Sequence, residues 1–184
     1  MPYLIAFFIH MVGLVNLVGG FILSSQAGVH YRRATTWDSA RSFLTMLQIA
    51  PGMLIAGGTL LLVSGGYMAA TRWGMQTPWV VAGVVAVLMA LAVALFVLAP
   101  GMRRLRKITE GKDGPILPQD RPALVTSNIW AWGAVTNGVV LAIAWNMVMK
   151  PGWAISIALP VVLGFVGWLV SFLMASAAKR RATS

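Results

Sequence analysis

His10 is the residue of this chain with the widest chemical range, because it is the one ionisable side chain inside a long apolar segment. An imidazole in apolar surroundings is costly unless it gains a hydrogen bond, a metal or a proton-transfer partner. Three interpretations stay open. His10 bonds Thr59, Asn146 or a carbonyl freed by a proline, it is an axial ligand of haem iron, or it binds another metal or transfers a proton. His10 is therefore the candidate cofactor-binding and metal-ligating residue.

A second histidine, His30, follows 20 residues later in the sequence. In a helix that spacing corresponds to about 30 Å, so His10 and His30 cannot ligate one iron within a chain. A haem iron held by His10 would be five-coordinate, completed by a partner protein, or ligated by a methionine. The methionines predicted at the same end as His10 include Met68, Met147 and Met149.

Other catalytic chemistry has few candidates in the apolar segments. None of them contains Asp, Glu, Lys or Arg, which argues against an ion-coupled transporter and against catalysis by paired carboxylates. The chain has no cysteine, so it forms neither disulfides nor thiolate sites. No catalytic residue is assigned, and whether the protein is an enzyme is left open.

Composition indicates that lipid is the solvent of this chain. Hydrophobic residues make up 59% and charged residues 10% of its 184 residues, whereas an ordinary soluble domain carries about 25% charged residues. The net charge of +10 would also fit nucleic-acid binding. The basic residues cluster at the ends of apolar runs, however, as they do in membrane proteins, and no nucleic-acid partner is expected.

The apolar runs predict an all-α, polytopic transmembrane bundle that forms a single domain over residues 1–184. A helix needs about 20 residues to cross the hydrocarbon core, and five segments qualify: 2–24, 44–70, 78–99, 125–149 and 153–178. Of the 14 Lys and Arg residues, 12 lie in segment 25–43, loop 101–124 and tail 179–184. Basic loops stay in the cytoplasm, so the N-terminus is predicted outside and the C-terminus inside.

Small and polar residues predict which helix faces are buried. Helices in lipid associate through such residues, which should share one face of each helix. Four spans carry such a face. The residues are His10, Gly13, Leu17, Gly20 and Ser24 in span one; Gln48, Gly52, Thr59 and Gly66 in span two; Asn128, Trp132, Thr136, Val139 and Asn146 in span four; and Ser156, Pro160, Gly164, Gly167 and Ser171 in span five. We therefore expect spans one, two, four and five to surround a polar seam, with span three outside it, facing lipid or a partner.

Several short motifs resemble a known group of small bacterial membrane proteins. Residues 8–13, Phe-Ile-His-Met-Val-Gly, and the pair Gly19-Gly20 resemble its first helix. Ala50-Pro51-Gly52-Met53 is similar to a second-helix motif, and Met102-Arg103-Arg104-Leu105 fits the end of the third helix. The group comprises an uncharacterised family of predicted integral membrane proteins, the copper-resistance CopD type and the HemJ-type protoporphyrinogen oxidases. The resemblance covers residues 4–107 and implies a bacterial inner-membrane protein whose His10 is tied to haem.

Two functions follow as expectations. The first is a haem-b-binding, redox-associated membrane protein in which His10 is the proximal ligand. The alternative is a non-catalytic accessory subunit of a larger membrane complex, or a homo-oligomer, because the spans lack charge and the connections are short. A channel for a neutral solute is less well supported, since the seam is narrow and rich in glycine.

The uneven distribution of basic residues makes the topology testable. We expect a reporter fused after Lys107 or Ser184 to report the cytoplasm, and one inserted between Arg72 and Pro78 to report the outside. Alkaline phosphatase and fluorescent-protein fusions distinguish the two compartments. A cytoplasmic signal from the 72–78 insertion would overturn the predicted orientation.

Overall fold

The computed structural model contains five helices that are long and apolar enough to cross a membrane, which confirms the predicted multi-pass helical fold. It describes residues 1–125 and 128–183, with side chains through Ser176; residues 126 and 127 of predicted span four lie outside the described residues. The helices are α1 Pro2–Arg33, α2 Trp37–Met68, α3 Pro78–Val93, α4 Ala99–Thr109, α5 Arg121–Val125, α6 Ile129–Met149 and α7 Trp153–Thr183. Single π-helical turns, Ala69–Trp73 and Ala94–Leu98, extend α2 and join α3 to α4.

Helix α1 and helix α2 are both longer than the predicted spans. Segment 25–43, expected to be a connection, is helical apart from residues 34–36. Thr36 begins α2 by accepting a hydrogen bond from the Ser39 amide, which satisfies one of the free amides of the first turn. The additional turns carry polar residues that lie beyond the hydrocarbon thickness. Hydropathy alone therefore ended span one too early and began span two too late.

The loop that follows α4 is fastened to the start of α2. Arg41 donates hydrogen bonds to the carboxylates of Asp38 and Asp113 and to the Thr109 and Lys112 carbonyls. Lys112 in turn pairs with Asp120 at 2.8 Å. These contacts lie at the basic end of the molecule. At this end α1 ends, α2 begins and α4 carries its arginines.

Helices α1 and α2 cross with their backbones in near contact. A Cβ added at Gly57 would lie 2.7 Å from the Gly13 carbonyl oxygen and from the Leu17 amide nitrogen. Only glycine allows this approach, and lipid offers no hydrophobic drive that would replace it. The predicted buried face of span one is confirmed at Gly13, Leu17 and Gly20, all of which are buried.

Helices α6 and α7 form a second close pair. A Cβ at Gly138 would overlap the Leu163 carbonyl, and one at Gly167 would overlap the Ala134 carbonyl. The predicted face of span five is likewise buried at Ser156 and Ser171. Both helical pairs are therefore held by backbone proximity at glycines.

The expected position of span three is wrong. Helix α3 packs against α2, α6 and α7 and buries Trp79, Val80, Gly83, Ala86 and Val87. The peripheral helix is α7, whose most apolar stretch is 11% buried, compared with 28% for Pro78–Thr109, which contains α3. The buried residues of α3 are apolar, so the lack of polar residues in span three did not exclude it from the bundle.

The predicted buried face of span two is also wrong. Gln48, Gly52 and Thr59 are exposed. The buried face of α2 instead consists of Trp37, Ala40, Leu44, Leu47, Ala50, Leu54, Gly57, Gly58, Leu61, Ser64 and Met68. Apart from Ser64, the described residues of α2 therefore contribute no polar side chain of the expected kind to a common seam.

The glycines of the α6–α7 pair make a sharp test of this packing. We expect Gly138→Ala to destabilise the protein by about 1–3 kcal/mol, because its methyl group would force the backbones apart. Gly133→Ala, in the same helix, should be neutral, since its Cβ would meet nothing within 4 Å. Thermal unfolding in detergent measures both. Equal losses in the two variants would contradict the close approach.

Candidate functional site

A cavity of about 430 Å³ opens between α1, α2, α3 and α6 at the end opposite the basic loops. Its floor is made by Leu17, Leu61, Val87 and Val140, which belong to the central apolar cluster of the bundle. Its walls are mainly aliphatic and aromatic, and His10 contributes an imidazole. Apolar walls with few polar groups, at this size, are typical of small-molecule and cofactor sites.

His10 is held by α2. Its Nδ1 lies 3.1 Å from Ser64 Oγ, and the Ser64 hydroxyl donates its own proton to the Leu60 carbonyl. In the tautomer that keeps the Ser64–Leu60 bond, Ser64 Oγ accepts from His10 Nδ1, and the lone pair lies on Nε2. A second-sphere hydrogen bond of this kind orients metal-binding histidines and selects the coordinating nitrogen.

Gly65 makes room for the imidazole. A Cβ at this position would lie 3.0 Å from His10 Cε1, closer than most side chains tolerate. The edge of the ring that carries Cε1 and Nδ1 therefore lies close to α2 at Gly65. Gly65 therefore helps to position the candidate ligand.

Three sulfur-containing side chains line the cavity with His10, namely Met11 of α1, Met68 of α2 and Met147 of α6. The space beside Gly83 on α3 accommodates the Met147 methyl group. Met149 is 60% exposed and does not line the cavity. His30 lies at the basic end, where its ring stacks on Phe43 at 5.1 Å, so it is separate from the site.

Aromatic and basic residues form the mouth of the cavity. Lys150, which ends α6 in a left-handed conformation with φ of 50°, places its Nζ 3.8 Å from the centre of the Trp73 ring. Trp73 also stacks edge-on against Trp79 and bonds the Tyr3 hydroxyl. Arg72 lies over the Tyr3 ring at 5.1 Å. Both basic residues on this side of the bundle thus lie beside the opening.

The residues present fit a haem. Haem iron takes one or two protein ligands, and His or His with Met is a common set. His10 has its Nε2 lone pair available for coordination, and Met68 and Met147 lie in the same apolar cavity. The positive charge of Lys150 at the mouth suits a bound molecule that carries carboxylates.

The sequence identified His10, Met68 and Met147 but missed the partners that hold them. Thr59 is exposed, and Asn146 donates to the Ser156 carbonyl at 3.0 Å, so neither expected partner reaches His10. Ser64 carried a weak signal, since it lies one residue before a glycine pair. Lys150 gave no signal in the sequence beyond its position outside the three basic segments.

Comparison with protein-family models, with curated proteins and with solved structures finds no match to this chain. The likeness to the HemJ-type and CopD-type proteins therefore stays a prediction from short motifs.

The bond between His10 and Ser64 can be isolated with a matched control. Ser64→Ala should lower the free energy of unfolding by roughly 1 kcal/mol more than Ser42→Ala. Both serines lie on α2 and bond the carbonyl four residues earlier, but only Ser64 also contacts His10. In a His10→Ala background the extra cost of Ser64→Ala should vanish. An extra cost that persists there would contradict the bond.

Proposed function

We propose that this multi-pass membrane protein binds haem b in the cavity between α1, α2, α3 and α6, with His10 Nε2 as an axial ligand. The observation that carries the proposal is the shared cavity of His10, Met68 and Met147. When bound, haem would supply one-electron redox chemistry.

The chain's own residues have separate tasks in this proposal. Ser64 keeps the proton on His10 Nδ1 and fixes the plane of the ring. The apolar floor excludes water and lowers the local dielectric, which is one means by which proteins adjust haem redox potential. Met147 and Met68 are the candidate second ligands, and Lys150 and Arg72 provide positive charge at the mouth.

The orientation proposed with this function is N-terminus outside and C-terminus inside, in the inner membrane of a bacterium. The support is the 12-to-2 distribution of basic residues between the two ends. The cavity would then open toward the outer side, with Arg72 and Lys150 as the two basic residues beside it.

An absorption spectrum tests haem binding directly. We expect protein produced with ample haem supply to show a Soret band, and His10→Ala to abolish it. His30→Ala serves as the matched control and should leave the band intact, because His30 stacks on Phe43 at the other end of the bundle.

Methionine variants extend the same test. Replacing the coordinating methionine, Met68 or Met147, with Leu should keep the haem but shift its spectrum toward a five-coordinate form. Met149→Leu should change nothing, because Met149 is exposed. A folded, colourless wild-type protein would refute haem binding, as would a Soret band that survives His10→Ala.

A second candidate function, a non-catalytic accessory subunit, draws support from α7. Its exposed face carries Phe165, Trp168 and Phe172, which stack in sequence at 5.8 and 5.6 Å between ring centroids. A peripheral helix with an ordered aromatic row suits docking on another membrane helix. Cross-linking from position 168 in native membranes should then capture a partner span or a second copy, whereas lipid contact alone would give no protein adduct.

A further inference from the structure

A second, smaller pocket of about 150 Å³ lies near the basic end and is lined mainly by α1, α6 and α7. Its lining differs from that of the large cavity because polar residues converge on it from all three helices. They are Ser24, Ser25 and Arg32 from α1, Asn137 from α6 and Ser171 from α7. None of them takes part in the proposed haem site.

Arg32 turns toward this pocket. Its Nε donates to the Gly28 carbonyl, one turn nearer the middle of α1, at 3.2 Å. Its guanidinium lies over the Trp130 ring at 5.0 Å. Trp130 reaches this place because Gly28 has no side chain, since a Cβ there would be 2.7 Å from the ring. The neighbouring Arg33, in contrast, is exposed.

The guanidinium of Arg32 has no carboxylate partner in the described chain. The protein has four acidic side chains, and three of them are engaged elsewhere: Asp38 and Asp113 pair with Arg41, and Asp120 pairs with Lys112. The fourth, Glu110, is exposed at the end of α4 and forms no ion pair with a described residue. A buried arginine pairs with an anion or with backbone carbonyls. Among the described residues Arg32 has the Gly28 carbonyl but no anion, so there is a place for an anion from another molecule.

Asn137 gives an independent indication of a ligand. Its Nδ2 donates to Ser25 Oγ at 2.7 Å, which orients the amide. Its Oδ1 is buried and has no hydrogen-bond partner among the described residues. A buried acceptor without a donor is unfavourable by about 1–3 kcal/mol in general, and a ligand that carries a hydroxyl group would satisfy it.

We propose that this pocket binds the head group of an anionic phospholipid, with its phosphodiester on Arg32 and a head-group hydroxyl donating to Asn137 Oδ1. Arg32 contacts Gly28, and Asn137 contacts Ser25. Gly28 and Ser25 are three residues apart on α1, or about 4.5 Å along the helix. One head group can therefore meet both sites. A phosphatidylglycerol, which has a net charge of −1 and free hydroxyls, has this chemistry. A phosphatidylcholine has no head-group hydroxyl, and its ammonium group cancels the charge of its phosphodiester.

Lipid titration followed by native mass spectrometry tests the site on the full-length protein in detergent. Wild-type protein should bind one phosphatidylglycerol more tightly than phosphatidylcholine of the same acyl chains. Arg32→Gln should weaken that binding at least about tenfold, and Arg32→Lys, which keeps the charge without the planar fork, should weaken it less. Arg33→Gln is the matched control and should bind as wild type does, because Arg33 faces away from the bundle.

A second measurement tests the contact between the head-group hydroxyl and Asn137. Asn137→Leu should weaken phosphatidylglycerol but not phosphatidylmethanol, an anionic phosphodiester that has no hydroxyl. Equal losses in Arg32→Gln and Arg33→Gln would overturn the proposal in favour of diffuse charge attraction, as would equal affinity for phosphatidylcholine. Displacement of the lipid by soluble glycerol phosphate at a similar concentration would show that the pocket takes a free phosphate ester, and the lipid assignment would fail.

Discussion

The close crossing of α1 and α2 at Gly13 and Gly57 is the contact on which the geometry of the large cavity depends. In lipid, helices gain little from burying apolar side chains, so stable contact requires backbones that approach closely. At the crossing Gly13 also faces Leu60 and Leu61 of the antiparallel helix, and His10 lies one turn from Gly13 as Ser64 lies one turn from Leu60. The crossing therefore brings the two side chains level and makes their 3.1 Å contact possible.

Hydropathy and length predicted the five spans correctly because both are local properties of the chain. The choice of buried face was only partly predictable. The prediction succeeded at Gly13 and Gly20 of span one, where small and polar residues share one helix face. It failed for span two, whose Thr59 is exposed. Polarity is a poor guide in lipid, because close approach requires small volume, and an alanine provides that without any polar atom. Helix α3 accordingly packs inside the bundle although its buried residues carry no polar stripe.

The candidate site shows a similar division between local and tertiary information. His10 was identifiable because an imidazole in an apolar run is conspicuous in any sequence. Its partner Ser64 was not, since α1 and α2 bring together residues 54 positions apart and their relative height depends on the glycine crossing. Arg32 gave no signal of its own, because a basic residue at the end of a span normally faces water. Its inward direction depends on Trp130, which arrives from α6.

The pairing of α1 with α2 and of α6 with α7 has a consequence for biosynthesis. Each pair is formed by helices adjacent in the chain, so each can close as soon as its second member has entered the bilayer. The His10–Ser64 contact would form early, while the ribosome is still adding α3. The wall that carries Met147 arrives much later, with α6. The cavity is thus complete only once α6 has entered the bilayer, and a nascent chain that lacks α6 would be unable to retain a ligand that needs all four walls.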